Sequence, residues 1–463
     1  MLFSSITFLY YFMPIMFGIY YLLPHKYKNC FLLVASLFFY GWQEPKYLFI
    51  MLFSIVNSYY FGLLIEKNKN IFYRKVVLVI SCISSLGLLI YFKYIHFIVE
   101  QLILFFKLEI PLLQVALPVG ISFFTFQTIS YTIDVYRQDV KASKSLINYA
   151  TYVSMFPQLI AGPIVRYENI EVLLKNRNIF ISQIYDGVCR FLIGLAKKVI
   201  IANNLALLCQ NVIVLDHSSV LMYWLYAIGF SLQIYFDFSG YSDMAIGLGK
   251  MLGFEFLENF KYPFVSSSIT EFWRRWHISL GNWFRDYVYI PLGGNRHGIK
   301  KTLFHIVLVW ALTGLWHGAA YQFILWGIMF AVLLIFEKLF LLEYLEKIPR
   351  WMGRIYTLFF VSISFVIFNA SDIGQAFLYI KGMFSFGMIP FVNEVSLYYL
   401  SSYFYIIIIA MVGATPLVSS ITVSITKRFK LYWLEPLVLF MLLIGCTAYL
   451  VDSSFNPFLY FRF

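Results

Sequence analysis

Charge is what this sequence lacks most. Of its 463 residues only 13% are Asp, Glu, Lys or Arg, against 61% hydrophobic and 21% aromatic, and the mean hydropathy is +0.77. Repeated apolar runs of spanning length exclude a water-soluble fold and make the chain an all-α, polytopic membrane protein. Cysteine is scarce as well. Cys30, Cys82, Cys189, Cys209 and Cys446 are scattered through mostly apolar segments, without the close spacing of a disulfide framework or a metal site. Acid is the scarcer sign, 23 Asp and Glu against 35 Lys and Arg, for a net charge of +12. The excess base collects in short loops and forms no continuous face, which argues against a nucleic-acid partner.

Motif absences narrow the chemistry. There is no HExxH, no GxSxG, no Walker A loop and no GxGxxG, and none of the seven histidines opens an HxxxxD pattern. Soluble hydrolase and nucleotide-driven mechanisms lose their support. No internal repeat or low-complexity linker is visible, which weakens an inverted-repeat transporter reading. The start, MLFSSITFLYYFMPIMF, has no basic n-region and no small-residue cleavage site, so it reads as a retained first span. The chain is expected to form one membrane-embedded unit over 1–463.

What charge there is gives a topology. The loops His25 to Asn29 (HKYKN) and Glu66 to Lys75 (EKNKNIFYRK) are basic, and two short crossings split by Gln43 to Lys46 fit between them. Positive-inside bias puts both loops in the cytosol and the N-terminus outside. Lys427 to Lys430 (KRFK) precedes an apolar run from Leu431 to Leu450, so the tail after Val451 is also expected outside. We expect ten to twelve spanning, partly spanning or re-entrant helices, even in crossings and set around a central tunnel. Two runs, Leu117 to Asp134 and Phe156 to Arg166, mix Pro, Gly and polar groups into apolar sequence. Such backbone is tolerated at membrane depth only where protein covers it or it lines a cavity.

The remaining polar residues mark where chemistry can sit. His317, in LTGLWHGAA (Leu312 to Ala320), is an ionisable group in an apolar helix, a functional candidate by default, though a satisfied core histidine is the bland reading. At helical spacing Trp310, Thr313 and Gly314 share its face, so small residues are expected to open a slot beside the ring while Trp310 and Trp316 wall it off. Asp237 and Asp243, in IYFDFSGYSDMAIGLG, must find partners or water. Glu271 to Arg296 (EFWRRWHISLGNWFRDYVYIPLGGNR) holds four arginines, two acids, a histidine and three tryptophans. Glu271 and Arg275 stand at i,i+4, and Arg285 with Asp286 can join them. That run is read either as a cavity wall or as an amphipathic helix snorkelling at the headgroups.

Together these segments carry a resemblance. WRRWHISLGNWFRDYVYIPLGGNR followed by LTGLWHG, with YFDFSGYSDMAIGLG and FPQLIAGPIVR, resembles the membrane-bound O-acyltransferase superfamily, in its bacterial polysaccharide branch. The resemblance implies alginate or peptidoglycan O-acetyltransferases, acetyl-CoA as donor substrate with no bound cofactor, and a separate extracytoplasmic esterase-like (SGNH) partner transferase. It places the family's catalytic histidine on His317 and its second histidine on His277, either an orienting or oxyanion-stabilising group or a structural one. Arg274, Arg275 and Arg285 are candidate anchors for coenzyme A phosphates. The tail FLYFRF, residues 458–463, is similar to a motif in which a tyrosine carries acyl groups, here Tyr460; an aromatic interface anchor is the alternative. D-alanyl transfer to teichoic acid and a transporter or flippase without covalent chemistry are the other readings. The Lys, Ile, Asn and Phe richness tilts the acceptor towards peptidoglycan over alginate.

Overall fold

A computed structural model describes residues 1–109, 111, 115–213, 219–452 and 455–457. These are helical, with an isolated β-bridge between Phe386 and Ile389. Eight helices are long and apolar enough to cross a membrane: Pro45–Lys67, Ile71–Phe106, Ile181–Ile213, Ile299–His317, Tyr321–Lys347, Arg350–Asn369, Glu394–Gly413 and Leu434–Asp452. Shorter or more polar helices include Phe8–Leu22, His25–Gly41 and the 32-residue Val220–Met251. The chain forms two compact units, one of Met1–Phe191 with Met244–Leu257 and one of Leu192–Asp243 with Glu258–Phe463.

In the first unit, His25–Gly41 and Leu48–Lys67 lie on either side of a short turn at Pro45–Tyr47, the interruption that Gln43 to Lys46 marks in the sequence. Both broken runs are covered by protein. Helix Ile121–Arg137 buries nearly all its residues, Gln127 among them, and the hydroxyls of the buried Thr128, Ser130 and Thr132 bond back to the helix carbonyls. The short helix Phe156–Leu159 and the chain after it are buried as well. Gly120 explains part of the mixed composition: its φ is +77°, and a Cβ there would meet the Leu159 carbonyl at 2.6 Å. Arg177 is a buried node of this unit. Its guanidinium donates to the Tyr20 hydroxyl, Asn29 Oδ1 and the carbonyls of Leu173 and Leu252, completing acceptors that helix ends leave open.

In the second unit, Ile299–His317 and Tyr321–Phe336 make a hairpin over three connecting residues. The two backbones touch. A Cβ on Gly314 would come 2.3 Å from the Phe323 carbonyl, and one on Gly327 2.3 Å from the Trp310 carbonyl. The glycines here serve close helix approach, as small residues do in membrane interfaces generally. Gly314→Ala is therefore expected to push the helices apart at a cost of about 1–3 kcal/mol. A fall in the thermal unfolding midpoint of the detergent-purified protein would show it, and an unchanged midpoint would contradict the packing described.

Candidate active site

The central run is not one amphipathic helix. It folds as two short helices, Ile269–Arg275 and Ile278–Phe284, followed by a π-helical turn at Arg285–Tyr289, and the break falls on His277. His277 takes the left-handed conformation, φ 46° and ψ 51°, which a residue with a Cβ adopts at a cost of about 1–2 kcal/mol. Two anchors hold the break. Asn259 receives the incoming helix, its carbonyl accepting from Ile278 N–H at 3.0 Å and its Oδ1 from Ser279 N–H at 3.1 Å. Glu337, 1% exposed, accepts from the N–H groups of Ile269 and Thr270 at 2.6 and 2.8 Å and from Thr270 Oγ1 at 2.6 Å. A carboxylate at a helix N-terminus satisfies orphan donors and meets the positive end of the helix dipole.

That geometry fixes the tautomer of His277. Ser279 N–H can only donate, so the Asn259 atom it meets is the oxygen. His277 Nδ1, 3.3 Å from the same oxygen, must then carry the proton and donate it. Nε2 is left with its lone pair. His277 is 2% exposed and lies outside the eight spanning helices, and burial pushes its pKa down to about 3, so the ring is neutral at physiological pH.

His317 ends its helix and is 8% exposed. Trp316, Trp326 and Phe368 surround the imidazole edge-on, with ring centroids at 5.0, 5.1 and 5.2 Å. Trp316 is also 6.0 Å from the His277 ring, so both histidines pack on one indole. The expected slot at Gly314 is not open: the backbone of Phe323 occupies it, because the hairpin closes on that glycine. Trp310 packs on Trp273, Trp326 and Phe330, a layer that backs the His317 wall. Several donors around the two histidines are buried without an acceptor among the described residues: Trp273 Nε1, Trp326 Nε1 and Asn259 Nδ2. All three are N–H groups, which any acceptor can complete, a water or a carbonyl oxygen included.

The arginines turn elsewhere. Arg275 pairs with Glu271 at 2.9 Å and donates to the Lys261 carbonyl, Arg285 pairs with Asp286 at 2.7 Å, and Arg274 is exposed. Asp243 meets Lys197 and Asp237 meets Lys198, each at 2.7 Å. Tyr460 lies outside the described residues. Sequence reasoning missed Asn259, Glu337 and Lys198, although the adjacent lysines of an apolar run at 197–198 were a readable counterpart to the two aspartates.

A model of the membrane-bound O-acyltransferase family matches residues 6–373. The chain belongs to this family. It is 38% identical, over the whole of both chains, to a Pseudomonas putida protein named probable alginate O-acetylase. It is 34% identical to the peptidoglycan O-acetyltransferase of Helicobacter pylori over 87% of this chain and 82% of that one. Similarity extends to the teichoic acid D-alanyltransferase of Bacillus subtilis, at 30% identity over 54% of this chain and 68% of the relative. This membrane-bound O-acyltransferase is thus a multi-pass enzyme of acyl transfer. Family membership overturns the reading of a transporter without covalent chemistry.

Proposed function

We propose that this acyltransferase takes acetyl from acetyl-CoA at the cytosolic face of the cytoplasmic membrane and delivers it for O-acetylation of an extracytoplasmic polysaccharide. The observation that carries the proposal is the pair of buried histidines packed on one indole, one of them neutral and protonated at Nδ1, beside the buried N–H groups of Trp273 and Trp326. In this mechanism the lone pair of His317 removes a proton from an attacking hydroxyl as its oxygen bonds to the thioester carbonyl carbon. The C–S bond then breaks, and the departing coenzyme A thiolate recovers that proton from the imidazolium. Trp326 Nε1–H, still without an acceptor, supplies a hydrogen bond to the oxyanion between these steps. Neutral His277, protonated at Nδ1, offers Nε2 as an acceptor that orients the hydroxyl, which makes oxyanion stabilisation the weaker of its two roles. Arg274, Arg275 and Arg285 remain candidates for phosphate contacts at the surface.

Both termini face outward in this reading, and Tyr460 is the hydroxyl that receives acetyl and passes it to an esterase-like partner transferase. Two observations tilt the acceptor. Composition favoured peptidoglycan, but the identity to the alginate relatives is higher and covers more of the chain, which favours an exopolysaccharide. D-alanyl cargo is supported over a shorter stretch. Membranes incubated with labelled acetyl-CoA and analysed by mass spectrometry are expected to carry label on the C-terminal peptide of the wild type and none on that of Tyr460→Phe. Label found only elsewhere would remove Tyr460 from the route.

A further inference from the structure

The mechanism leaves one buried ion pair unused. Lys198, 2% exposed, sits in the π-helical turn Lys197–Ala202, and Asp237, 3% exposed, in the helix Val220–Met251. They meet at 2.7 Å. Lys198 Nζ also donates to Asn203 Oδ1 at 2.9 Å and to the backbone carbonyl of Pro457. These two oxygens accept ammonium protons, and the Asp237 carboxylate balances the charge as an ion pair. Asn203 adds a second tie to the same stretch, its Nδ2 donating to Asn456 Oδ1 at 3.2 Å.

Stability does not explain such a pair. A buried ion pair replaced on both sides by apolar residues is often neutral or stabilising, so a pair that is present is better explained by what it positions. Here it positions the chain beyond the apolar helix Leu434–Asp452, at Asn456 and Pro457. The ion pair shares a helix with the site: Asp237 directly precedes Phe238, whose ring is 4.7 Å from that of His277. Tyr460 is three residues past Pro457, and three extended residues span no more than about 11 Å.

We infer that Lys198, Asp237 and Asn203 form a docking clamp for the C-terminal segment, holding Asn456 and Pro457 at an ion pair anchored on the helix that also carries Phe238 of the His277 wall, so that the tail is delivered towards the transfer site. They are positioning residues, and their effect on transfer rests on the acyl-transfer reading above. The test uses the full-length enzyme in membranes, with native cysteines replaced and Phe455→Cys as a reporter. Lys198→Leu with Asp237→Leu removes both charges together, and Asn203→Leu removes the second tie alone. Maleimide labelling of the reporter is expected to quicken about tenfold or more in the double variant, with polymer acetylation falling by a similar factor, and both to change less in Asn203→Leu. A double variant that is inserted and labels at the wild-type rate overturns the clamp. Faster labelling with unchanged acetylation overturns its part in transfer. His317→Ala separates the two readings: acetylation that survives it sinks the acyl-transfer reading, while the labelling rates still report on the clamp.

Discussion

Replacing His317 with alanine is expected to lower acetyl transfer by about 10²–10⁴-fold, the usual worth of a positioned general base. The reason is local. No other described residue places an imidazole at the end of the helix Ile299–His317, and the second histidine, His277, packs on the same indole, Trp316, from another helix end. The fold is expected to survive, because the removed ring is enclosed by Trp316, Trp326 and Phe368, which stack on neighbours of their own. Acetylated polymer per unit of inserted protein is the quantity to measure. Transfer within a few-fold of wild type in His317→Ala would take the histidine out of the chemistry. The same assay over pH has a built-in sign. Burial holds His277 near 3, so it remains neutral from about pH 5 upward, and any acid-side loss of activity in that range belongs to another group.

Glu337→Leu is expected to give the largest loss of stability. The carboxylate accepts from three donors at the start of the helix Ile269–Arg275, two of them backbone N–H groups. Each buried donor left without an acceptor costs about 1–3 kcal/mol, so the loss should reach about 3 kcal/mol or more. Glu337→Gln keeps one acceptor oxygen and gives up the charge, and should fall between. Activity is expected to follow stability, because the helix that Glu337 caps leads into His277. The thermal midpoint of the purified protein in detergent reads this out, and equal midpoints for wild type and Glu337→Leu would show that water or other groups replace the carboxylate.

How much of this was legible in the sequence differs from residue to residue. Helix class and the protein-covered, broken stretches followed from hydropathy and from where Pro and Gly interrupt it, because apolar backbone has few alternatives in lipid. His317 was legible as an ionisable residue in an apolar run, and Glu271 with Arg275 as neighbours on one helix face, because those signals are local. Asn259 and Glu337 were not, since each acts on residues 18 and 68 positions away in sequence. No periodicity announces a cap supplied by another helix. The helix break at His277 was also hidden: a histidine with positive φ is held by its surroundings, and the surrounding run reads as helix throughout. The slot at Gly314 failed for the opposite reason. A small residue signals either open space or close backbone, and only the position of the next helix decides which.

The glycine contacts of that hairpin reach further than packing. With Gly314 and Gly327 bringing two backbones into contact, His317 at the end of one helix and Trp326 within the other are set on a single rigid frame. His317 and Trp326 are then held in one mutual geometry, so under the proposed mechanism little reorganisation energy is spent when charge develops between them.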